Sequence, residues 1–184
     1  TFLRALAREL IRGKTPDEVR ILAIDLRRNL LGEIPEEFLL AYLSVRDTAV
    51  SEINDLTGYL QGRLPGPDVT AEQLRNRSWW RGPEIYLLVD DYDLVATNTS
   101  NPLTPLQPLL AQAQDIGLHL VLTRRIGGTM RAMYEPIMQT LGDLSTPGIM
   151  LPGNPDEGPL LGRQKPQPGP AGRARLISRD GVRT

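Results

Sequence analysis

The spacing of apolar residues changes along the chain between the period of a helix and that of a buried strand. Residues 1–11 place Leu3, Leu6, Ala7 and Leu10 on one face, which is the spacing of an amphipathic helix. Short unbroken apolar runs between polar, Gly or Pro residues instead predict strands covered on both faces. The strands predicted in this way are residues 19–26, 85–89, 118–123 and 149–151, with a last edge strand at 174–178.

Helices are predicted between these strands. Residues 48–60, about 106–116 and 129–141 fit a helix, the last with a break or kink near Pro136. A further helix is predicted to begin after Thr70, whose hydroxyl can accept a free amide of the first turn. Strands that alternate with helices favour an α/β fold with a largely parallel sheet. We expect residues 1–184 to form one domain.

Composition narrows the classes of partner. The 184 residues carry a formal net charge of −1, whereas a surface that tracks nucleic-acid phosphates normally has a basic excess. DNA is therefore a less favoured partner. The chain contains no cysteine, so disulfides and thiolate metal sites do not support its fold. No stretch approaches the roughly 20 apolar residues that span a bilayer, so a link to a membrane is expected only through other segments or partners.

Two acids, Asp90 and Asp91, directly follow the apolar run Ile85 to Val89. The carboxyl ends of parallel strands are where α/β proteins bind ligands. In a nucleotide-binding fold this is the Walker B position, whose first Asp holds the Mg²⁺ of a bound triphosphate, directly or through water. Alternatively, the two acids simply begin a loop, since Asp favours turns.

The tripeptide Gly13-Lys14-Thr15 has the ending of a phosphate-binding loop but not its context. That motif needs a Gly where Arg8 stands, and it opens a helix, whereas this tripeptide closes one. Gly13 therefore fits a helix C-cap better. Because the first helix precedes strand 19–26 as a phosphate-binding helix would, we expect the Walker A loop immediately before Phe2. Thr1 would be its last residue or the next one, so the domain is expected to be truncated just after this loop.

Several segments resemble two related families. Residues 117–125 resemble the strand with the Thr-Gln-Arg-Pro sensor of the FtsK/SpoIIIE translocases, and residues 160–163 resemble the start of their late Leu-Leu-Gly-x-Gly-Asp segment. Residues 65–70, the pair Trp79-Trp80 and residues 89–95 resemble the C-terminal ATPase module of the EccC family of type VII (ESX) secretion ATPases. This likeness runs through nearly the whole chain.

The resemblance implies a RecA-like P-loop NTPase, an α/β fold whose mostly parallel sheet is flanked by helices. It implies ATP and Mg²⁺ as cofactors, with Thr1, Asp90 and Thr123 binding the nucleotide and Asp90 also holding the metal. It further implies a cytoplasmic motor of several ATPase domains on an inner-membrane secretion complex. The implied exported partners are heterodimers of the WXG100 type, which are recognised by a C-terminal signal.

Two departures from the family pattern bear on catalysis. Asp91 stands where active relatives have Glu, and Arg124 replaces the Gln of the sensor. A carboxylate that activates water must come within about 3 Å of it, so the loss of one methylene predicts weak hydrolysis. Arg124 and Arg125 either donate to phosphate, lie in solvent, or pair with nearby acids. The alternative functions are a DNA translocase domain of the same superfamily and a scaffold domain that does not hydrolyse ATP.

Other candidate residues have a structural and a functional interpretation. Trp79 and Trp80 either stack on adenine or, as is commoner, pack at the mouth of the acidic strand. His119 fits a hydrogen-bonded residue better than a metal ligand, and Asp25 either faces the nucleotide or pairs with Arg28. Apolar side chains that are adaptable enough for a peptide groove, but are more often core, are Met130, Met133, Ile137 and Met138.

Overall fold

The computed structural model describes residues 2–97, 100–128 and 134–183. The chain divides into two compact units, Thr1–Arg124 and Arg125–Thr184, and each is described by itself. The expectation of one domain across residues 1–184 stays a prediction.

Within the described residues, the first unit contains a sheet of four strands in the order β2-β1-β3-β4, and all three pairings are parallel. The α/β fold class and the largely parallel sheet are therefore confirmed. The pattern of apolar runs located three of these strands but did not predict β2. The strands are β1 (Val19–Ile24), β2 (Leu39–Leu43), β3 (Glu84–Val89) and β4 (Leu118–Leu122).

Four α-helices of this unit lie among the described residues. They are α1 (Phe2–Ile11), α2 (Arg46–Gln61), α3 (Ala71–Asn76) and α4 (Tyr92–Val95). The predicted cap of α3 is present as a capping box, in which Thr70 accepts from the Gln73 amide and the Gln73 side chain accepts from the Thr70 amide.

The segment predicted as a helix over about 106–116 is instead a 3₁₀ helix at Thr104–Gln112. Pro108 lies inside it and has no amide hydrogen. A proline there would also clash with the carbonyl four residues earlier in an α-helix, so the tighter 3₁₀ form replaces the predicted one.

The core of the first unit lies where α1 packs on the central strands. Leu3 and Ala7 of α1 contact a cluster that includes Ile21 and Ala23 of β1 and Leu88 of β3. β1 and β3 run in register, with Ile24 opposite Val89. The residues that follow these two strands are consequently neighbours at one edge of the sheet.

The second unit contains a separate antiparallel sheet in the order β5-β6-β7. A strand is present where residues 174–178 were predicted to form a last edge strand, but the predicted edge position is wrong. This strand, β6, is central in its sheet, and β7 follows it in the chain. A helix, α5, begins at Pro136, the first-turn position at which a missing amide hydrogen costs nothing. Residues 129–133 of the predicted helix lie outside the described residues. The elements are α5 (Pro136–Asp143), β5 (Gly148–Met150), β6 (Arg175–Ser178) and β7 (Gly181–Arg183).

Candidate functional site

Three of the predicted site residues meet at the carboxyl edge of the parallel sheet. Asp90 directly follows β3 and Thr123 directly follows β4. The Thr123 hydroxyl donates to Asp90 Oδ1 at 2.7 Å and accepts the Asp91 backbone amide at 3.0 Å. One hydroxyl therefore links the two acids, as expected for polar residues at the ends of adjacent parallel strands.

Two residues that sequence reasoning had not assigned to this site also contact the acids. Asn29 Nδ2 donates to Asp90 Oδ2 at 2.7 Å, and Arg27 Nη1 donates to Asp91 Oδ2 at 2.8 Å. Both lie in the loop after β1, which pairs with β3. The sequence signal that could have identified Arg27 and Asn29 is their position directly after a predicted strand, at the end of the sheet where Asp90 and Asp91 lie.

The backbone of Asp91 is in the left-handed region, with φ 48° and ψ 61°. Asp and Asn adopt this region more readily than other residues that carry a side chain. A short carboxylate therefore suits the sharp turn between β3 and α4. The hydrogen bond and charge of Asp91 raise the pKa of the Arg27 guanidinium, so this pair is ionic.

Arg124, the residue in the predicted sensor position, lies beside Asp93. Its Nη2 is 2.7 Å from Asp93 Oδ1, and its side chain is only 10% exposed. Of the alternatives left open by the sequence, an ion pair with a nearby acid is the one observed. A contact of Arg124 with phosphate stays a prediction.

Asp25 is fully buried and holds the loop that follows it. Its Oδ2 accepts the Leu30 amide at 2.6 Å and the Tyr42 hydroxyl at 2.7 Å. Neither contact is the side-chain pair with Arg28 that was one of the two alternatives for Asp25. Burial raises the pKa of the Tyr42 phenol, and the hydrogen bond to Asp25 raises it further.

The two tryptophans lie at the opposite end of β3 from Asp90. Trp80 donates its indole N–H to the Asp115 carbonyl, and the Arg63 guanidinium stacks 4.0 Å from its ring. Trp79 donates to the Arg63 carbonyl. A strand of six residues is about 17 Å long, so these contacts support packing rather than a contact with a nucleotide at Asp90.

The remaining candidates also have structural contacts. His119 Nε2 lies 2.8 Å from Glu84 Oε2, and its ring stacks on Tyr86. Ile137 and Met138 are buried, which fits core packing better than an open groove. Thr1, Met130 and Met133 lie outside the described residues.

The oxygen atoms around Asp90 fit magnesium. Mg²⁺ is typically held by one or two carboxylates together with phosphate oxygens and water, rather than by a full cage of protein ligands. Among the residues that the structure describes, no group of three or more His, Cys, Asp or Glu side chains is placed to hold a metal ion. A Mg²⁺ site at the single carboxylate of Asp90, with the Thr123 hydroxyl beside it, stays a prediction.

A cavity of about 470 Å³ lies in the second unit, and none of the predicted site residues is among those that line it. Apolar residues such as Met150 and Leu151 line it together with Arg173 and Arg175. No helix among the described residues has both the length and the apolar character required to cross a membrane.

Comparison with known proteins shows two close relatives in sequence. The ESX secretion system protein EccC of Thermomonospora curvata is 46% identical over 97% of this chain, and the ESX-4 protein EccC4 of Mycobacterium tuberculosis is 45% identical over 96%. The chain spans 14% of the length of each. No protein-family model matches the chain.

Solved structures agree with these relatives. The cytoplasmic domain of the T. curvata type VII secretion ATPase EccC matches with a TM-score of 0.93 and 46% identity over 98% of this chain and 21% of that one. A structure of ATPases 2 and 3 of the same protein in complex with a signal sequence peptide gives the same score and identity, with 33% of its chain covered. A third structure, described as an ATPase, is 32% identical with a TM-score of 0.87, and this chain covers 72% of it.

Proposed function

Because the chain belongs to the EccC family of type VII (ESX) secretion ATPases, we propose that it is an ATP-binding module of such a secretion motor. The observation that carries the proposal is the network of Asp90, Thr123 and Asn29 at the carboxyl edge of a parallel sheet. The predicted place of the module as the C-terminal ATPase of the motor stays part of this proposal.

In the proposed site, Asp90 holds the Mg²⁺ of bound ATP and Thr123 fixes the orientation of that carboxylate. Mg²⁺ neutralises charge on the phosphates and thereby favours their binding. The hydrogen bond from Thr123 restrains the Asp90 carboxylate, which is the support that metal-binding carboxylates usually have. Thr1 is proposed to lie at the end of the phosphate-binding loop.

Hydrolysis by this module is proposed to be weak. Asp91 is shorter than the Glu expected there, and its carboxylate is occupied by Arg27. Arg124, in place of a neutral sensor residue, is occupied by Asp93. Both contacts compete with the orientation of water and with the recognition of a γ-phosphate, so binding is favoured over turnover.

The module is proposed to act on the cytoplasmic side of an inner-membrane secretion complex, in contact with other ATPase domains of the same motor. It is proposed to recognise the C-terminal signal of WXG100-type exported heterodimers. The support for recognition is the T. curvata relative that was solved with a signal sequence peptide. Apolar anchors of a short peptide would supply most of its binding energy.

A titration of Mg·ATP against the full-length protein tests nucleotide binding at this site. We expect saturable binding, and we expect Asp90→Asn to weaken it about tenfold or more because the metal loses its charged ligand. Asp68→Asn is the matched control, since Asp68 is exposed in a loop and its substitution removes the same charge as Asp90→Asn. A labelled peptide from the C-terminus of a WXG100-type protein tests recognition in the same preparation.

Equal affinities for Mg·ATP in the wild type and the Asp90→Asn variant would refute the proposed site. Loss of peptide binding on deletion of the terminal residues of the peptide is expected. Peptide binding that is indifferent to this deletion would refute recognition of the signal while leaving the nucleotide result intact.

A further inference from the structure

The loop that follows β1, residues 25–30, contacts both acids of the candidate site. Asn29 donates to Asp90 Oδ2 at 2.7 Å, and Arg27 forms a 2.8 Å ion pair with Asp91 Oδ2. Two side chains of one short loop therefore hold two consecutive carboxylates. The family resemblance in the sequence had drawn attention to the acids and to Thr123 but not to this loop.

The loop is anchored by its two buried ends. Asp25 is fully buried, and its carboxylate accepts the Leu30 amide at 2.6 Å, while the Arg28 amide donates to the Asp25 carbonyl at 3.2 Å. Leu30 is itself only 2% exposed. Hydrogen bonds to a buried carboxylate are stronger than those between neutral groups, so Asp25 fixes the path of the loop.

The middle of the loop is exposed, which leaves its side chains free to extend toward the acids. The fixed ends of the loop set where the side chains of Arg27 and Asn29 begin. Their contacts therefore follow from the shape of the loop as well as from charge.

We propose that this loop positions the two acids of the site: Asn29 orients Asp90, and Arg27 restrains Asp91. The inference rests on the proposed nucleotide-binding function and adds two positioning residues to it. With Thr123 on Oδ1 and Asn29 on Oδ2, both oxygens of Asp90 are held by donors. A carboxylate fixed on both oxygens presents one orientation to a metal ion, which raises affinity by avoiding reorganisation.

Whereas Asn29 prepares Asp90 for metal binding, Arg27 hinders Asp91 from acting as a base. The guanidinium occupies a carboxylate oxygen that would otherwise accept a proton from water, so the pair keeps Asp91 from acting as a base. The Arg27 side chain is 61% exposed and that of Asp91 is 21% exposed. An ion pair this exposed is weak, so it lowers the fraction of Asp91 carboxylate that is free to act as a base by at most about fivefold.

Three variants of the full-length protein test this inference. Asn29→Ala removes the donor to Asp90, Arg27→Gln removes the ion pair to Asp91, and Arg28→Gln is the matched control. Arg28 lies between the other two and carries the same charge as Arg27. Within the part of the chain that the structure describes, it has no hydrogen bond or ion pair to either carboxylate.

Affinity and turnover are measured for each variant. We expect Asn29→Ala to weaken Mg·ATP binding about tenfold, the usual effect of losing a residue that supports a metal ligand. Arg27→Gln should leave the affinity within about twofold and raise kcat about threefold, with an upper limit near fivefold. Arg28→Gln should leave both unchanged.

Amide hydrogen exchange of residues 85–95 in the absence of nucleotide is a second readout that does not depend on ATP. Faster exchange at Asp90 and Asp91 in the Asn29→Ala and Arg27→Gln variants than in Arg28→Gln is expected, because these variants release the acids. Equal exchange in all three variants overturns the positioning role whether or not ATP binds.

The inference is also overturned if the wild type binds Mg·ATP but Asn29→Ala binds it equally well, or if Arg27→Gln turns over no faster than Arg28→Gln. If no variant and no wild-type protein binds Mg·ATP saturably, the proposed function fails. That outcome is distinguishable from failure of the positioning role, which the exchange measurement decides.

Discussion

Asp25 shows how one buried side chain acts on a site that it does not enter. It accepts hydrogen bonds from Leu30 and Tyr42, and the loop that it shapes carries Arg27 and Asn29 to the two acids. The sequence suggested that Asp25 faces a ligand or pairs with Arg28. Its burial and its partners instead make it a support for the site.

The Tyr42 hydroxyl gives this support a pH dependence. Burial and the hydrogen bond to Asp25 raise the pKa of Tyr42 above its value of about 10 in an unfolded chain. Because the folded-state pKa is the higher one, the stabilising contribution is complete below about pH 10 and is lost as the pH rises above it. We predict that Tyr42→Phe lowers the free energy of unfolding by about 1 kcal/mol at neutral pH and makes its decline above pH 10 shallower.

Denaturant unfolding between neutral pH and about pH 11 checks this prediction. Tyr134→Phe is the control, since Tyr134 is 82% exposed and its substitution should leave the free energy of unfolding at neutral pH unchanged. An alkaline decline that is equally steep in the wild type and the Tyr42→Phe variant would show that Tyr42 is not the group responsible.

Among single residues, the sequence identified the two acids and Thr123 but not Asn29 and Arg27, which also contact the acids. Asp90 and Asp91 were found because they follow an apolar run, and Thr123 because of a family resemblance. Asn29 and Arg27 are distant from them in the chain, and an Asn and an Arg in a loop are ordinary surface residues by pattern alone. Their role depends on the pairing of β1 with β3, which the apolar pattern does not specify.

At the scale of elements, the turn that leads into β4 depends on a glycine for two reasons. Gly117 has a φ of 71°, and a Cβ at this position would lie 2.6 Å from Cη2 of Trp80. The left-handed backbone penalises any residue with a side chain, and the ring of Trp80 leaves no space for a methyl group. This turn directly precedes the strand that carries Thr123 to the site.

We predict that Gly117→Ala lowers the free energy of unfolding by about 3 kcal/mol, from backbone strain and from displacement of Trp80. Gly13→Ala is the matched control, because Gly13 has a similar φ of 66° but nothing within 4 Å of the added Cβ. Gly13→Ala should lower the free energy of unfolding by only about 1 kcal/mol. Chemical denaturation measures both, and equal losses would contradict the contribution of Trp80.

At the scale of the whole molecule, the two units have cores of different size. The first unit buries both central strands, whereas the core cluster described in the second consists of Met150, Leu160 and Ile177. A smaller buried apolar surface gives a lower opening free energy, so we expect the second core to open more readily than the first.

We predict that amide hydrogen exchange is slow in β1 and β3 and faster in β5, β6 and β7. Leu88→Ala, in the first core, should accelerate exchange in β1 and β3, and Ile177→Ala should accelerate it in β5 to β7 alone. The two substitutions serve as controls for each other because both shorten buried side chains. If Ile177→Ala accelerates exchange in β1 and β3 as strongly, the chain opens as one cooperative unit.

Local patterns along the chain predicted the fold class, most of the strands and the acids of the site, because an apolar run followed by carboxylates can be recognised without knowledge of distant contacts. The family resemblance of the sequence determined the relation to secretion ATPases, which the close relatives confirm. The tertiary structure alone decided which residues hold those acids. Strand order and register bring Arg27 and Asn29 to Asp91 and Asp90, and contacts between residues so far apart in the chain depend on how the sheet is assembled.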